Sequence, residues 1–175
     1  LDILDKLEHR GAVSADGKTG DGAGILIEIP HEFLKEACSF ELPKVHEYAV
    51  GMVFLPQKDN QRAFCIETFE GEIKKQGLAI LGWRKVPVDP SHVGAIAAKT
   101  EPYIMQIFVT RGEEKLSDQE FNTKLFIARK SSEHKIWASK MSQASYFYLP
   151  SFSTHTLIYK GLLIPEDIKA YYRDL

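Results

Sequence analysis

The sequence has few cysteines: only Cys38 and Cys65 occur in 175 residues, and no Cys-x-x-Cys spacing is present. Two isolated cysteines indicate neither a disulfide framework nor a cysteine-based zinc site. Both fall in stretches with helical periodicity. We therefore expect them to be small buried apolar side chains rather than reactive groups.

Long apolar runs and clusters of one charge are also missing. No uncharged apolar stretch approaches the roughly 20 residues that a membrane span requires, and the first residues lack the basic and apolar regions of a signal peptide. Basic and acidic residues nearly cancel, 22 against 24, and no basic run carries interleaved aromatics. We therefore expect a cytoplasmic protein whose partners include neither a membrane nor a nucleic acid.

Internal repeats, low-complexity tracts and linker-like stretches are absent as well. Hydrophobic residues make up 44% of the sequence, which suffices for a core without disulfides. We therefore predict a single domain over residues 1–175.

Glycine is concentrated near the start of the sequence. Residues 1–10 have the spacing of a helix that ends at Gly11, residues 14–24 are rich in glycine, serine and aspartate, and Ile25-Leu26-Ile27 begins a strand. Glycine-rich loops that bind phosphate follow a strand and open a helix, whereas this loop follows a helix and opens a strand. A structural loop is therefore favoured over a nucleotide site.

The rest of the chain alternates between strand and helix patterns. The predicted strands are residues 24–29, 47–55, 79–86 and 103–110, and the first of them is apolar enough to be covered on both faces. The predicted helices are residues 31–38, 60–76, 117–130, a short one within 91–98 and a last one from residue 164. Two further strands flank Pro150-Ser151 in a hairpin or corner. Taken alone, this alternation predicts a parallel doubly wound sheet.

Several polar residues invite a functional interpretation. Gln106 lies in an apolar strand and must have a hydrogen-bond partner. His31 and Glu32 fit a solvated first helical turn better than a pair of ligands. Ser153 and His155 have no acid or oxyanion partner in the sequence, so turn chemistry is favoured over a hydrolase pair.

A family resemblance rests on three stretches: Leu7-Glu8-His9-Arg10-Gly11-Ala12, the glycine-rich residues 20–33, and Tyr159-Lys160-Gly161-Leu162-Leu163. These stretches closely resemble the glutaminase domain of glutamate synthase large subunits, a class II glutamine amidotransferase domain, and the likeness extends over nearly the whole chain. The resemblance implies an α+β fold, the four-layer αββα sandwich of N-terminal nucleophile hydrolases, here incomplete. We adopt this fold in place of the parallel sheet.

The resemblance also implies a chemistry. Members of this family hydrolyse glutamine through a cysteine at the mature N-terminus, whose own α-amino group assists as the base. Neither Cys38 nor Cys65 has a free α-amino group, and an amidase that uses Cys65 lacks a recognisable histidine partner. The family's Asn-Gly oxyanion pair does not occur, and residues 151–156 resemble its substrate-binding arginine segment but lack the arginine. We expect a partial domain without its nucleophile, inactive alone.

Four residues are candidates for the site through the resemblance alone. Arg10 corresponds to an arginine that lies beside the N-terminal cysteine, where a fixed positive charge favours a thiolate. The alternative for Arg10 is a helix-terminal arginine that binds free carbonyl groups. Gly11, Asp21 and Gly22 are expected to shape the wall of the same site without taking part in the chemistry.

The parent enzyme implied by the resemblance converts glutamine and 2-oxoglutarate to two glutamates with a reductant. FMN and an iron–sulfur cluster are expected in its other domains, with no cofactor site in these residues, in agreement with the low cysteine count. The expected partners are glutamine, the remaining synthase domains and a small reductase subunit. A non-catalytic regulatory or interaction domain on the same scaffold is the alternative.

Overall fold

The computed structural model describes residues 14–16 and 18–175. The predicted helix over residues 1–10, with Arg10 and Gly11 at its end, lies outside the described residues. The chain divides into two compact units. The first, here called the loop unit, contains the described residues up to Leu26 together with Val86–Glu101 and Ile158–Leu175; the second, the sheet unit, contains Ile27–Lys85 and Pro102–Leu157. A single domain over residues 1–175 stays a prediction.

A four-stranded antiparallel sheet forms the centre of the sheet unit. Its strands are β2 (Tyr48–Leu55), β3 (Ala79–Lys85), β4 (Tyr103–Thr110) and β5 (Tyr148–Ser153), in the spatial order β3-β4-β2-β5. Strands β2 and β4 pair without interruption along their whole length. The predicted boundaries of the first three of these strands differ from the observed ones by at most one residue.

Apolar residues of the sheet unit pack on both faces of this sheet. Helices α1 (His31–Ala37), α2 (Asp59–Lys75) and α3 (Asp118–Ala138) belong to this unit. One face packs under the apolar sides of α2 and α3, and the core there includes Ala49, Val53, Leu55, Phe69, Ile73, Ile107, Val109, Phe121 and Leu125. On the other face, the ring of Phe40, which follows α1, lies edge-on against Phe108 with ring centroids 5.2 Å apart. Strand β2 therefore has apolar side chains pointing in both directions.

The prediction of a parallel doubly wound sheet, made from the alternation alone, is wrong. The adopted prediction of an α+β class with antiparallel sheets is confirmed. Strands β2 and β3, joined by α2, do run in the same direction, as a strand–helix–strand pattern predicts. Strand β4 is inserted between them and pairs antiparallel with both. The local pattern was correct, but it carries no information about a later strand that inserts between the two.

In the described part of the chain, a second sheet is formed by two strands, β1 (Ala23–Glu28) and β6 (Thr156–Gly161). They run antiparallel, since Gly24 lies beside Lys160 while the Ile29 N–H donates to the His155 carbonyl oxygen at 2.9 Å. The expectation that β1 is covered on both faces is wrong. Its residues alternate between half-buried and exposed positions, and Leu26 keeps 61% of its surface exposed.

The prediction of a hairpin or corner at Pro150-Ser151 is wrong in its position. Both residues lie inside β5, which is an edge strand, where proline is tolerated because one side of the strand needs no ladder hydrogen bonds. The chain changes sheet at Thr154-His155 instead. The backbone N–H groups of His155 and Thr156 donate to the Ser153 Oγ atom at 3.1 and 3.2 Å, which stabilises this corner.

Helix α3 begins where the sequence predicts and ends later. The capping box is present: the Glu120 N–H donates to Ser117 Oγ, and the Ser117 N–H donates to the Glu120 carboxylate at 2.8 Å. The predicted end at residue 130 is wrong because Arg129 and Lys130 do not terminate the helix. They pair instead with the buried carboxylate of Glu133 at 3.0 and 2.7 Å.

Three other predictions have clear outcomes. Gln106 has the required partner, because the Arg84 Nη1 group donates to its Oε1 atom at 2.9 Å. The short helix within residues 91–98 is replaced by two 3-10 turns, Pro90–His92 and Ala97–Thr100. The last helix, α4, is confined to Asp167–Tyr171. In the part of the chain that the structure describes, no helix is long and apolar enough to cross a membrane.

The capping box predicts a measurable contribution to stability. Replacing Ser117 by alanine removes the side-chain acceptor of the Glu120 N–H. We expect the free energy of unfolding of the chain to fall by about 1 kcal/mol, as measured by urea denaturation. Replacing the exposed Ser145 by alanine is the control and should have a much smaller effect; equal losses for the two variants would contradict the role of the cap.

Candidate functional site

The glycine-rich loop of the loop unit is organised by the carboxylate of Asp16. Its Oδ1 atom accepts hydrogen bonds from the N–H groups of Lys18 and Thr19 at 3.1 and 2.8 Å. Its Oδ2 atom accepts from the Thr19 hydroxyl at 2.6 Å and from the N–H of Ile96 at 3.0 Å. Hydrogen bonds from the Thr19 hydroxyl, from the Thr19 N–H and from the Ile96 N–H hold the pKa of Asp16 below its ordinary value. The carboxylate therefore remains charged at neutral pH.

Thr19 makes a second connection to the same distant segment. Its hydroxyl oxygen accepts a hydrogen bond from the N–H of Ala97 at 3.3 Å, while its carbonyl oxygen accepts from the N–H of Ser14 at 2.8 Å. Thr19 is only 4% exposed. The loop is thus closed on itself and fastened to residues 94–97.

Two glycines allow the backbones around the loop to approach closely. A Cβ atom at Gly20 would lie 2.2 Å from the carbonyl oxygen of Leu163, and one at Gly94 would lie 2.3 Å from Thr19 Oγ1. Neither position has room for a side chain. Three stretches that are distant in the sequence, around residues 19, 94 and 163, therefore meet at this loop.

The predicted site-wall residues fall partly within the described chain. Asp21 and Gly22 are exposed and directly precede β1, and Gly22 has φ +135°, a conformation that favours glycine. Arg10 and Gly11 lie outside the described residues. The roles of all four residues stay predictions. The loop opens a strand, as the sequence predicts, whereas a phosphate-binding loop opens a helix.

The structure also locates the two cysteines. Cys65 lies on α2 and is fully buried, and burial raises the pKa of its thiol to about 12. Cys38 is half-buried and follows the last residue of α1. A protonated thiol is a poor nucleophile, so Cys65 is unsuited to covalent catalysis. The interpretation of Cys65 as a small apolar side chain agrees with its position.

The other polar candidates have structural partners. Ser153 accepts two backbone N–H groups at the corner between the sheets, as the turn interpretation requires. His31 is half-buried, and its Nδ1 atom lies 2.9 Å from the hydroxyl oxygen of Tyr48, while Glu32 is exposed. Among the described residues, no group of three or more histidine, cysteine, aspartate or glutamate side chains is arranged to hold a metal ion.

The sequence places Asp16 and Thr19 in the predicted loop, and no motif marks either of them as a site residue. The spacing Asp-x-x-Thr is a recognisable signal for the bonds within the loop, because short polar side chains bind backbone groups two or three residues ahead. Nothing in the sequence indicates the bond from Asp16 to Ile96, which spans 80 positions.

The close approach at Gly20 predicts a stability effect. Replacing Gly20 by alanine forces its new methyl group against the Leu163 carbonyl, and we expect the free energy of unfolding to fall by about 1–3 kcal/mol. Replacing Gly71 by alanine is the matched control, since nothing lies within 4 Å of that position in helix α2. That variant should gain about 1 kcal/mol in the same denaturation experiment. A neutral effect at Gly20 would contradict the packing described here.

Burial predicts different reactivities for the two thiols. In the native protein at pH 8, iodoacetamide should modify Cys38 at least about a hundredfold faster than Cys65, because only the thiolate reacts and Cys65 is both protonated and inaccessible. Mass spectrometry of the labelled peptides measures the two rates, and the unfolded protein, in which both should react, is the control. Rapid native labelling of Cys65 would overturn its assignment as a core residue.

Comparisons with known proteins extend these findings. The family model described as class II glutamine amidotransferases matches residues 1–175. The NADPH glutamate synthase large chain of Bacillus subtilis is 38% identical over 176 residues, which cover 100% of this chain and 11% of that protein. The NADH glutamate synthase of Saccharomyces cerevisiae is 39% identical over 185 residues, covering 99% of this chain and 8% of that protein.

A plant protein gives a similar result. The ferredoxin-dependent glutamate synthase 1 of Arabidopsis thaliana is 38% identical over 179 residues, which cover 100% of this chain and 11% of that protein. The chain therefore spans about a tenth of the length of the curated relatives that it matches.

Proposed function

Because the chain belongs to the class II glutamine amidotransferase family, we propose that it is part of the glutamine-hydrolysing domain of a glutamate synthase large chain. The observation that carries the proposal is the similarity of the whole chain, at 38–39% identity, to glutamate synthases. Those relatives are named for NADPH, NADH and ferredoxin. The proposal therefore concerns glutamine hydrolysis, a step that does not depend on the electron donor.

The proposed reaction begins with attack of a thiolate on the amide carbon of glutamine. Ammonia leaves, a thioester remains, and water then hydrolyses the thioester to release glutamate. The nucleophile is a cysteine at the mature N-terminus of the parent protein. Neither Cys38 nor Cys65 meets this requirement, because both are internal, and Cys65 is buried with a raised pKa. We therefore propose that the 175 residues alone do not hydrolyse glutamine.

The residues of this chain contribute to the surroundings of that cysteine. We assign to Arg10 a fixed positive charge that favours the thiolate. Gly11, Asp21 and Gly22 form the wall of the site. The exposure of Asp21 and Gly22 at the end of a firmly held loop supports this assignment.

Cofactors and partners belong to the rest of the parent protein in this proposal. FMN and an iron–sulfur cluster supply the redox chemistry there. An iron–sulfur cluster commonly takes four cysteine ligands, and this chain has two cysteines. The remaining synthase domains and a small reductase subunit are the proposed protein partners, in the cytoplasm, and glutamine is the substrate.

The proposal predicts that hydrolysis depends on the parent protein and on Arg10. Ammonia release from glutamine should be observed with the full-length natural protein and not with residues 1–175 alone. Replacing Arg10 by alanine in the full-length protein should lower kcat/KM for glutamine by about tenfold or more, since removal of an adjacent positive charge disfavours the thiolate. Replacing Arg129 by alanine is the control, because Arg129 pairs with Glu133 on α3.

Three outcomes would contradict the proposal. Activity of residues 1–175 alone would show that the nucleophile lies within them. An Arg10 variant with unchanged kinetics would remove the assigned role of that residue. If the full-length protein releases no ammonia from glutamine, a non-catalytic domain on the amidotransferase scaffold is the better account.

A further inference from the structure

We propose that Asp16 and Thr19 are positioning residues for glutamine hydrolysis, which fix the loop bearing Asp21 and Gly22 by clamping it onto residues 94–97. This inference rests on the proposed function. It adds two residues that neither the motif nor the family comparison identifies. Both act through the loop and take no part in the chemistry themselves.

The two oxygen atoms of the Asp16 carboxylate have different hydrogen-bond partners. Among the described residues, Oδ1 accepts hydrogen bonds from N–H groups within the loop, those of Lys18 and Thr19. Oδ2 accepts from the Thr19 hydroxyl and from Ile96, which belongs to the distant segment. One oxygen therefore shapes the loop, and the other fastens it.

Thr19 completes the clamp because its hydroxyl group both donates and accepts. It donates to Asp16 Oδ2 at 2.6 Å and accepts from the Ala97 N–H at 3.3 Å. Since Thr19 is 4% exposed, water does not readily replace these bonds. A hydroxyl group is needed at this position, and a methyl group cannot take over either bond.

Steric fit limits how far the clamped segments can shift. Gly94 contacts the clamp so closely that an added Cβ atom would lie 2.5 Å from the Thr19 nitrogen and 2.9 Å from Asp16 Oδ2. Gly20, the residue after Thr19, packs equally closely against the backbone of Leu163. The loop is therefore held by hydrogen bonds on one side and by close packing on another.

The position of this loop affects catalysis because the candidate site residues adjoin it in the sequence. Asp21 follows Thr19 by two positions, and the Arg10-Gly11 motif precedes Ser14, whose N–H closes the loop onto the Thr19 carbonyl. Displacement of catalytic groups by about 1 Å lowers rates by as much as about a hundredfold. A loosened clamp should therefore lower kcat while the protein remains folded.

The charged carboxylate of Asp16 accepts the hydrogen bonds that hold the loop, and it does not transfer a proton in the reaction. Its hydrogen bonds keep its pKa below the ordinary value of about 3.9. For a carboxyl group with a lowered pKa, the stabilisation is complete above the ordinary value and is lost only as the pH falls toward the folded value. Variants of the clamp should therefore change kcat without moving the pH profile in the neutral range.

Thr19→Val and Thr19→Ser in the full-length natural protein test the clamp. Valine matches the shape of threonine and lacks the hydroxyl, whereas serine keeps it. We expect Thr19→Val to lower kcat for glutamine hydrolysis by about tenfold or more, and Thr19→Ser to stay within about threefold of the unmodified protein. Melting temperatures of all variants show that the rates refer to folded protein.

Asp16→Asn provides a second test. Asparagine keeps one acceptor oxygen for the two backbone hydrogen bonds within the loop. Its amide NH₂ group then faces the N–H of Ile96, so two donors meet and the hydrogen bond to Ile96 is lost. The substitution should lower kcat by a similar factor with an unchanged pH profile. Asp89→Asn is the matched control, since Asp89 holds a comparable turn at Ser91 and pairs with Arg173. We expect it to cost stability and leave kcat within about twofold.

The outcomes separate this inference from the proposed function. If the unmodified protein hydrolyses glutamine and Thr19→Val is as active as Thr19→Ser, the clamp has no positioning role, although the proposed function stands. The same conclusion follows if Asp89→Asn lowers kcat as much as Asp16→Asn, because general destabilisation then explains the loss. If the unmodified protein does not hydrolyse glutamine, the proposed function fails and the inference fails with it.

Discussion

The carboxylate of Asp16 joins two stretches of chain that are 80 positions apart in the sequence. The hydrogen bonds that it accepts from Lys18, Thr19 and Ile96 close the glycine-rich loop and fasten it to residues 94–97. Around this bond network the backbone packs so tightly that only glycine fits at positions 20 and 94. The position of the loop, and with it the candidate site wall, therefore depends on one buried hydroxyl group and one carboxylate.

The sheet unit illustrates how local signals succeed and where they end. The capping box and the apolar periodicity predict the start of α3 and the strands β2, β3 and β4 closely, because these signals act between neighbours in the sequence. The order of strands in the sheet depends on which distant segment inserts between two others. Local signals therefore do not predict that β4 inserts between β2 and β3. They also do not predict that α3 continues past residue 130, where Arg129 and Lys130 pair with Glu133.

The candidate site shows the same division. The family resemblance identifies Asp21 and Gly22 as candidates. The spacing of Asp16 and Thr19 predicts the hydrogen bonds that they form within the loop. The partners that give these two residues their importance, Ile96 and Ala97, carry no motif, and the bonds come from their backbone N–H groups. A backbone donor is the same in every residue except proline, so no sequence pattern marks it.

The most direct measurement of the clamp is amide hydrogen exchange in the full-length protein with and without the Asp16→Asn substitution. The account predicts that the peptides covering residues 14–24 and 94–97 lose protection together, while those from β2 and β4 keep theirs. Such a paired change, in segments far apart in the sequence, would show that one side chain holds both. If only the loop loses protection, or if neither segment does, the clamp does not hold the two segments together.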